Sequence, residues 1–169
     1  VFGFSFLKDN HFITFVDSSV TNRNLIQVTS FLETDSLIYL FTYYDTKQYI
    51  VFNPYRQTFH YLDMAHHFHI KSVNSTCSFV TSNGDTIIGD RLDGIKIFSK
   101  DTVIINDKVG QVFDIVEDEQ ETLWLASYND DLDYNRHNPG GLYKFSGYKE
   151  EYYNSKLHIK NQEVWCLFY

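Results

Sequence analysis

Proline and cysteine are almost missing from this 169-residue chain, with two of each, and methionine occurs once. Cys77 and Cys166 each lie in an apolar run, one position out of step by repeat offset. They are expected as two buried thiols, not as a disulfide or a metal pair. Basic residues are also few. Lys and Arg total 14 against 22 Asp and Glu, for a net charge of −8. That balance excludes nucleic acid as a partner, because phosphates need a basic surface, and it weighs against anionic lipid. No apolar run reaches about 18 residues, so nothing in the sequence spans a membrane. No stretch keeps a helical period. No Ser-His-Asp order, nucleophile elbow, phosphate-cradling glycine loop or sialidase-type Asp-box occurs. No Gly-, Ser- or Pro-rich linker divides the chain, so one domain is expected. No cofactor is expected either.

What is abundant is aromatic: 15 Phe and 13 Tyr. Aromatic and β-branched residues suit pleated, half-buried surfaces, and the composition reads as all-β. The most informative stretch is Gly110 to Phe145. Val112 to Val116 reads as a strand, Glu117 to Glu121 as an acidic turn, Leu123 to Ala126 as a second strand, and Leu142 to Phe145 as a third. Between the last two lies a polar loop, closed by Asn138-Pro139-Gly140-Gly141. The pattern occurs 37 residues upstream, where Ile87 falls on Trp124 and Gly89 on Ala126. Gly94 to Phe98 then matches Gly141 to Phe145. Glu163 to Phe168 restarts it on the pattern of Gln111 to Val116. A repeat of roughly 40–45 residues with four short strands is the signature of propeller blades.

The run V-F-D-I-x-E-D … L-W-L-A-S … G-G-L-Y-K-F resembles the two-component regulator propeller repeat. It departs from the usual form at Glu121, where glycine is usual, and at Ser127, where Thr is usual. The resemblance implies a β-propeller built of four-stranded antiparallel blades. It implies the periplasmic sensor region of an inner-membrane hybrid two-component sensor, whose parent protein is a histidine kinase. It also implies a glycan-derived oligosaccharide ligand, a homodimeric parent, and membrane attachment only through regions outside these residues. On this reading the fragment is not an enzyme. Two rivals stand beside it: a carbohydrate-active propeller hydrolase or lyase, and a structural protein-interaction propeller.

Taken in order, residues 1–20 read as a partial blade with a hairpin, Val1 to Leu7 and His11 to Val16. Blades are expected at about 25–62, 74–106 and 111–154, with another beginning at 163–169. The sequence starts at Val1 and stops inside an expected strand, so it reads as an excerpt of a larger ring. Leu37 to Tyr44 is the most apolar run and is expected as a central strand buried on both faces. Asn53-Pro54-Tyr55-Arg56 is a turn. Asp63 to Lys71 is a connector, read as strand-like, with His67 and His69 on one face and His66 opposite.

Three candidate sites arise. His66, His67 and His69 invite a metal reading, but no characteristic ligand spacing accompanies them, and exposed or hydrogen-bonding connector histidines are expected instead. The 128–139 loop carries Asp130, Asp131, Asp133 and Asn135. Arg136 and Leu142 stand where a calcium loop needs Gly and Glu, which excludes an EF-hand. A solvated acidic insertion, a recognition loop and a looser calcium site all remain. As a recognition loop it offers Tyr128 and Tyr134 for stacking on sugar rings, and Asn129, Asp131, Asp133, Arg136 and His137 for hydroxyls. Glu117, Asp118, Glu119 and Glu121 could be carboxylate pairs for glycoside hydrolysis, but are expected as a solvated hairpin tip. Trp124 and Trp165 are expected as core residues packed between adjacent blades.

Overall fold

The computed structural model describes residues 2–8, 11–17, 28–42, 48–70, 73–92, 94–100, 102–128, 139–154, 156–158 and 164–168. A hairpin comes first, with β1 (Phe2–Lys8) antiparallel to β2 (His11–Asp17). Three four-stranded antiparallel meanders follow, each with its strands side by side in chain order. Blade 1 holds β3 (Val28–Glu33), β4 (Ile38–Thr42), β5 (Gln48–Asn53) and β6 (Thr58–Asp63). Blade 2 holds β7 (Ser75–Val80), β8 (Thr86–Asp90), β9 (Gly94–Ser99) and β10 (Thr102–Asn106). Blade 3 holds β11 (Gln111–Glu117), β12 (Leu123–Tyr128), β13 (Gly141–Ser146) and β14 (Lys149–Tyr152).

The sheets are joined along their first strands, β3 to β7 to β11. Ser30 Oγ and Ser75 Oγ lie 2.6 Å apart, Ser78 Oγ donates to Phe31 O at 2.9 Å, and Thr76 Oγ1 donates to Val112 O. First strands inside and fourth strands outside give radial order, the arrangement of propeller blades. Each first strand has a bulge against its second strand at one place, between Val28 and Ser30, Ser75 and Cys77, and Val112 and Asp114. A bulge raises local twist and bends the strand.

The core lies between sheets. Phe41, Tyr49 and Val51 of blade 1 meet Met64, Ile70, Val73 and Ile88. Ile87, Ile95 and Ile97 of blade 2 meet Val112, Ile115, Leu123, Leu125, Tyr143 and Phe145 of blade 3. Full burial of such side chains stabilises by roughly 1.5–3 kcal/mol each. Adjacent residues of β8, Ile87 and Ile88, point to opposite neighbours and both are fully buried, as alternation along a strand requires. β4 is an interior strand with Leu40, Phe41 and Thr42 all buried, as its sequence indicates.

Two segments differ from the sequence reading. Residues expected as a strand-like connector contain a one-turn helix, α1 (Met64–Phe68). Asp63 caps it, its Oδ1 accepting from His66 N at 3.0 Å, and His69 ends it in a left-handed conformation. Local capping overrides the extended pattern here, and Met64 anchors the turn in the core at 1% exposure. The alternation of His66, His67 and His69 about a strand therefore does not hold. Over the described residues 164–168 the strand expected from Glu163 forms no ladder. They are tied to blade 3 by Val164 N donating to Ser127 O at 3.2 Å and Leu167 N donating to Asp114 Oδ2 at 2.8 Å.

Four strands per meander return the chain to the end at which it entered. The blade-to-blade connectors and the β4–β5, β8–β9 and β12–β13 loops thus share one end of the molecule. The β3–β4, β7–β8 and β11–β12 turns share the other with the β5–β6, β9–β10 and β13–β14 turns.

Candidate functional site

The recognition loop of the sequence reading leaves from Tyr128, the last residue of β12. Asn129, Asp131, Asp133, Tyr134, Arg136 and His137 lie outside the described residues, as does the calcium-like Asp131-x-Asp133-x-Asn135 run. Both roots of the loop are described and firmly tied. On the return side, Tyr143 Oη donates to Pro139 O at 2.5 Å and Tyr152 Oη donates to Gly140 O at 3.3 Å. Gly141 N donates to Ser127 Oγ at 3.2 Å, and Leu142 N to Asn154 Oδ1 at 2.7 Å. Burial raises the Tyr143 hydroxyl above the ordinary tyrosine range. It stays a neutral donor holding the loop.

Beside the outgoing root stands an aromatic trio. The Trp165 ring stacks on Tyr128, with centroids 5.0 Å apart and planes 29° apart. Phe113 meets Trp165 at 4.7 Å and 42°, and Tyr128 at 6.3 Å and 65°. Phe113 is the bulged residue of β11, and Tyr128 pairs with Gln111 across the ladder. Trp165 is 52% exposed among the described residues, where core packing was expected. Cys166 beside it is likewise exposed rather than buried. Cys77 is half-buried, its Sγ is 3.6 Å from Val112 O, and burial pushes its thiol up to about 12.

Trp124 is half-buried and lies on the side of blade 3 away from blade 2. Leu123 and Leu125, its neighbours, fill the interface with blade 2. Trp124 meets Tyr153 edge-on at 5.0 Å, has Lys144 Nζ 5.9 Å from its ring, and donates from Nε1 to Asp118 Oδ2 at 2.9 Å.

That last bond assigns the acidic turn. Asp118 Oδ1 accepts from Gln120 N at 3.0 Å and Thr122 N at 2.9 Å. The bond from Trp124, with those from the backbone, holds the Asp118 carboxyl below its ordinary range. Glu117 takes Ser82 of blade 2 on both oxygens, from N at 2.6 Å and from Oγ at 3.0 Å. Asp118 closes the turn and Glu117 joins two blades. Asp118, with its carboxyl held low, is not the raised-pKa acid that glycoside hydrolysis requires. A cleft of about 320 Å³ between blades 2 and 3 adjoins this turn, lined among others by Asp85, Glu117, Glu121, Phe145 and Tyr148. It opens at the end opposite Tyr128 and Pro139.

Among the described residues no three His, Cys, Asp or Glu side chains stand together to hold a metal ion. His66 and His69 are exposed, and the side chain of His67 lies outside the described residues. The buried charges form a pair. Lys96 Nζ donates to Asp90 Oδ2 at 2.7 Å with both side chains 2% exposed, and Asp90 also accepts from Asn74 N and Leu92 N. No described helix is long and apolar enough to cross a membrane.

No family model and no curated protein matches the chain. Solved structures similar to it include the following two. Virginiamycin B lyase from Staphylococcus aureus aligns over 74% of this chain and 41% of its own, at 9% identity and a TM-score of 0.47. The extracellular domain of a one-component system from B. thetaiotaomicron aligns over 68% of this chain and 17% of its own, at 19% identity and a TM-score of 0.43. The chain thus spans less than half of either protein.

Proposed function

We propose that these blades belong to the extracytoplasmic, periplasmic sensor propeller of a hybrid two-component protein. It recognises a glycan-derived ligand and signals to a histidine kinase outside the sequence described. The chain binds and does not catalyse. The observation that carries the reading is the division of labour between the two ends. At one end the carboxylates that would have served a hydrolase are bonded into turns and blade contacts. At the other a long polar insertion leaves blade 3 from roots held by Tyr143, Tyr152 and Asn154. A rigid scaffold presenting a polar loop is the usual form of a recognition surface. In a homodimeric parent, ligand must bind one arrangement of the sensor better than the other, since only differential affinity moves an equilibrium.

Isothermal titration of the chain against neutral and acidic oligosaccharides tests the reading. Saturable heat without release of reducing ends is the expected result. Turnover of a saccharide, abolished by one carboxylate substitution, replaces it with the enzyme reading. Absence of heat with every saccharide leaves the protein-interaction reading in its place.

A further inference from the structure

We infer that Asn83-Gly84, in the turn between β7 and β8, is a site of spontaneous covalent modification. The asparagine closes to a succinimide and reopens as aspartate or isoaspartate, and Thr81 governs how fast this happens in the folded chain. The inference is independent of the sensor reading.

Three observations carry it. First, this is the one Asn-Gly pair of the sequence. Ring closure brings the peptide nitrogen after an asparagine onto that residue's side-chain carbonyl carbon, and a following side chain obstructs it. Gly84 has no side chain, and no atom lies within 4 Å of the place where its Cβ would stand. Both residues are exposed to the water and base that the reaction uses. Their turn joins two strands of a complete blade, away from either end of the sequence.

Second, Thr81 holds both reactants. Its carbonyl accepts from Gly84 N at 2.9 Å, covering the proton that must leave. Its hydroxyl donates to Asn83 Oδ1 at 2.5 Å, and Asp85 N donates to the same oxygen at 3.2 Å, which fixes the amide. Attack therefore waits for the turn to open, and an exposed turn opens far more easily than the whole fold. Third, blade 3 repeats the turn without the chemistry. Glu121 N donates to Asp118 O at 2.9 Å, as Gly84 N does to Thr81 O. Gln120 and Glu121 stand where blade 2 has Asn83 and Gly84. The longer side chain of Gln120 cannot close the five-membered ring, and Glu121 carries the obstructing side chain.

In the reaction, Gly84 N loses its proton to base and attacks Asn83 Cγ. The N–Cγ bond forms, the Cγ–Nδ2 bond breaks, and ammonia leaves with a proton from solvent. Water then adds to either carbonyl of the succinimide. Opening the new bond gives aspartate at position 83, and opening the old peptide bond gives isoaspartate. Both products place a carboxylate beside Ser82, whose N and Oγ bond Glu117 of blade 3 at 2.6 and 3.0 Å. Asn83 shares its cleft with Asp85, Glu117 and Glu121, so the new charge meets like charges. Isoaspartate also lengthens the backbone of a turn closed by fixed bonds. The modification therefore loosens the seam between blades 2 and 3.

The test incubates the chain at mildly alkaline pH, folded and in urea, and follows position 83 by peptide mapping and isoaspartate assay. Wild type, T81A, T81S and N83Q are compared, with far-UV circular dichroism to verify each fold. Wild type is modified at Asn83, at least tenfold faster in urea than folded. Folded T81A reacts about fivefold faster than folded wild type, the shift expected from one lost hydrogen bond, and T81S reacts as wild type does. Aged wild type unfolds at lower urea than fresh protein, and N83Q aged alike does not change. An Asn83 left intact in urea overturns the site. Equal rates in folded T81A and wild type overturn the role of the Thr81 hydroxyl. An unchanged urea midpoint in fully modified wild type overturns the effect on the seam. If T81A does not fold, the ratio of wild-type rates decides: equal rates folded and in urea overturn the hold of the turn.

Discussion

Blades 2 and 3 fill one frame with different residues, and the equivalent positions are 37 apart through the second strand. Where blade 2 has Ile87, packed against blade 3, blade 3 has Trp124, whose indole is bonded to its own turn. Where blade 2 buries Asp90 against Lys96, blade 3 has Ser127, donating nothing charged and accepting from Gly141 N. Where the blade 2 turn is closed by neutral Thr81, whose Oγ1 accepts from Asp85 N, blade 3 uses the ionised carboxylate of Asp118. The left-handed turn position is Gly84 in one, φ +88°, and Glu121 in the other, φ +59°. The frame dictates backbone shape and which side each residue faces. It leaves the means of satisfying each polar group free.

Substitution at the buried charge separates the blades most. Asp90→Ala leaves the Lys96 ammonium without its carboxylate and is expected to cost about 3–5 kcal/mol. Ser127→Ala at the matching place is expected to cost about 1 kcal/mol. Urea denaturation measures both. The double variant Asp90→Ala/Lys96→Met should recover part of the first loss, and no recovery would assign the cost to the Asn74 and Leu92 backbone bonds instead. Next comes the small-residue position. A Cβ on Gly89 falls 2.5 Å from Cys77 Sγ and 2.8 Å from Val112 O. Gly89→Ala should therefore cost about 1–3 kcal/mol, although blade 3 carries Ala126 there. Adding Cys77→Ala should relieve only part, because the carbonyl remains.

Glu121→Gly reverses the departure from the repeat and should stabilise by about 1 kcal/mol, since the left-handed conformation strains a side chain and not glycine. A fall in melting temperature would assign Glu121 a compensating contact. The smallest expected difference is in acid. Asp118 has a lowered pKa in the folded state, so its contribution is present above the unfolded-state value and is lost as pH falls through the folded one. Asp118→Asn should flatten that component of the acid limb in denaturation series between neutral pH and about pH 3. An unchanged limb would show that the Trp124 and turn bonds stabilise neutral and ionised carboxyl alike.

Much of the frame is written locally and can be read from residues alone. Alternation marks the strands, Asn83-Gly84 and Asn53-Pro54 mark turns, and Asn53 Oδ1 indeed accepts from Tyr55 N and Arg56 N. The spacing from Asp118 to Trp124 is one hydrogen-bonded unit, which is why it is recognisable as a motif. The aromatic trio is much less legible. Phe113 and Trp165 stand 52 positions apart in sequence, and both sit in apolar runs that predict burial. Whether such a run is covered depends on what packs against it, a non-local fact. Helix α1 was hidden for the opposite reason: five residues are too few to show a period, and only the Asp63 cap hints at it.

An even number of strands in every meander has an evolutionary corollary. Each blade delivers the chain back to the rim where it picked it up, so duplicating or deleting one needs no rethreading of its neighbours. The same rim receives every connector and every second-to-third-strand loop. Length can therefore accumulate there, as it has after Tyr128, without disturbing the sheets that face each other below.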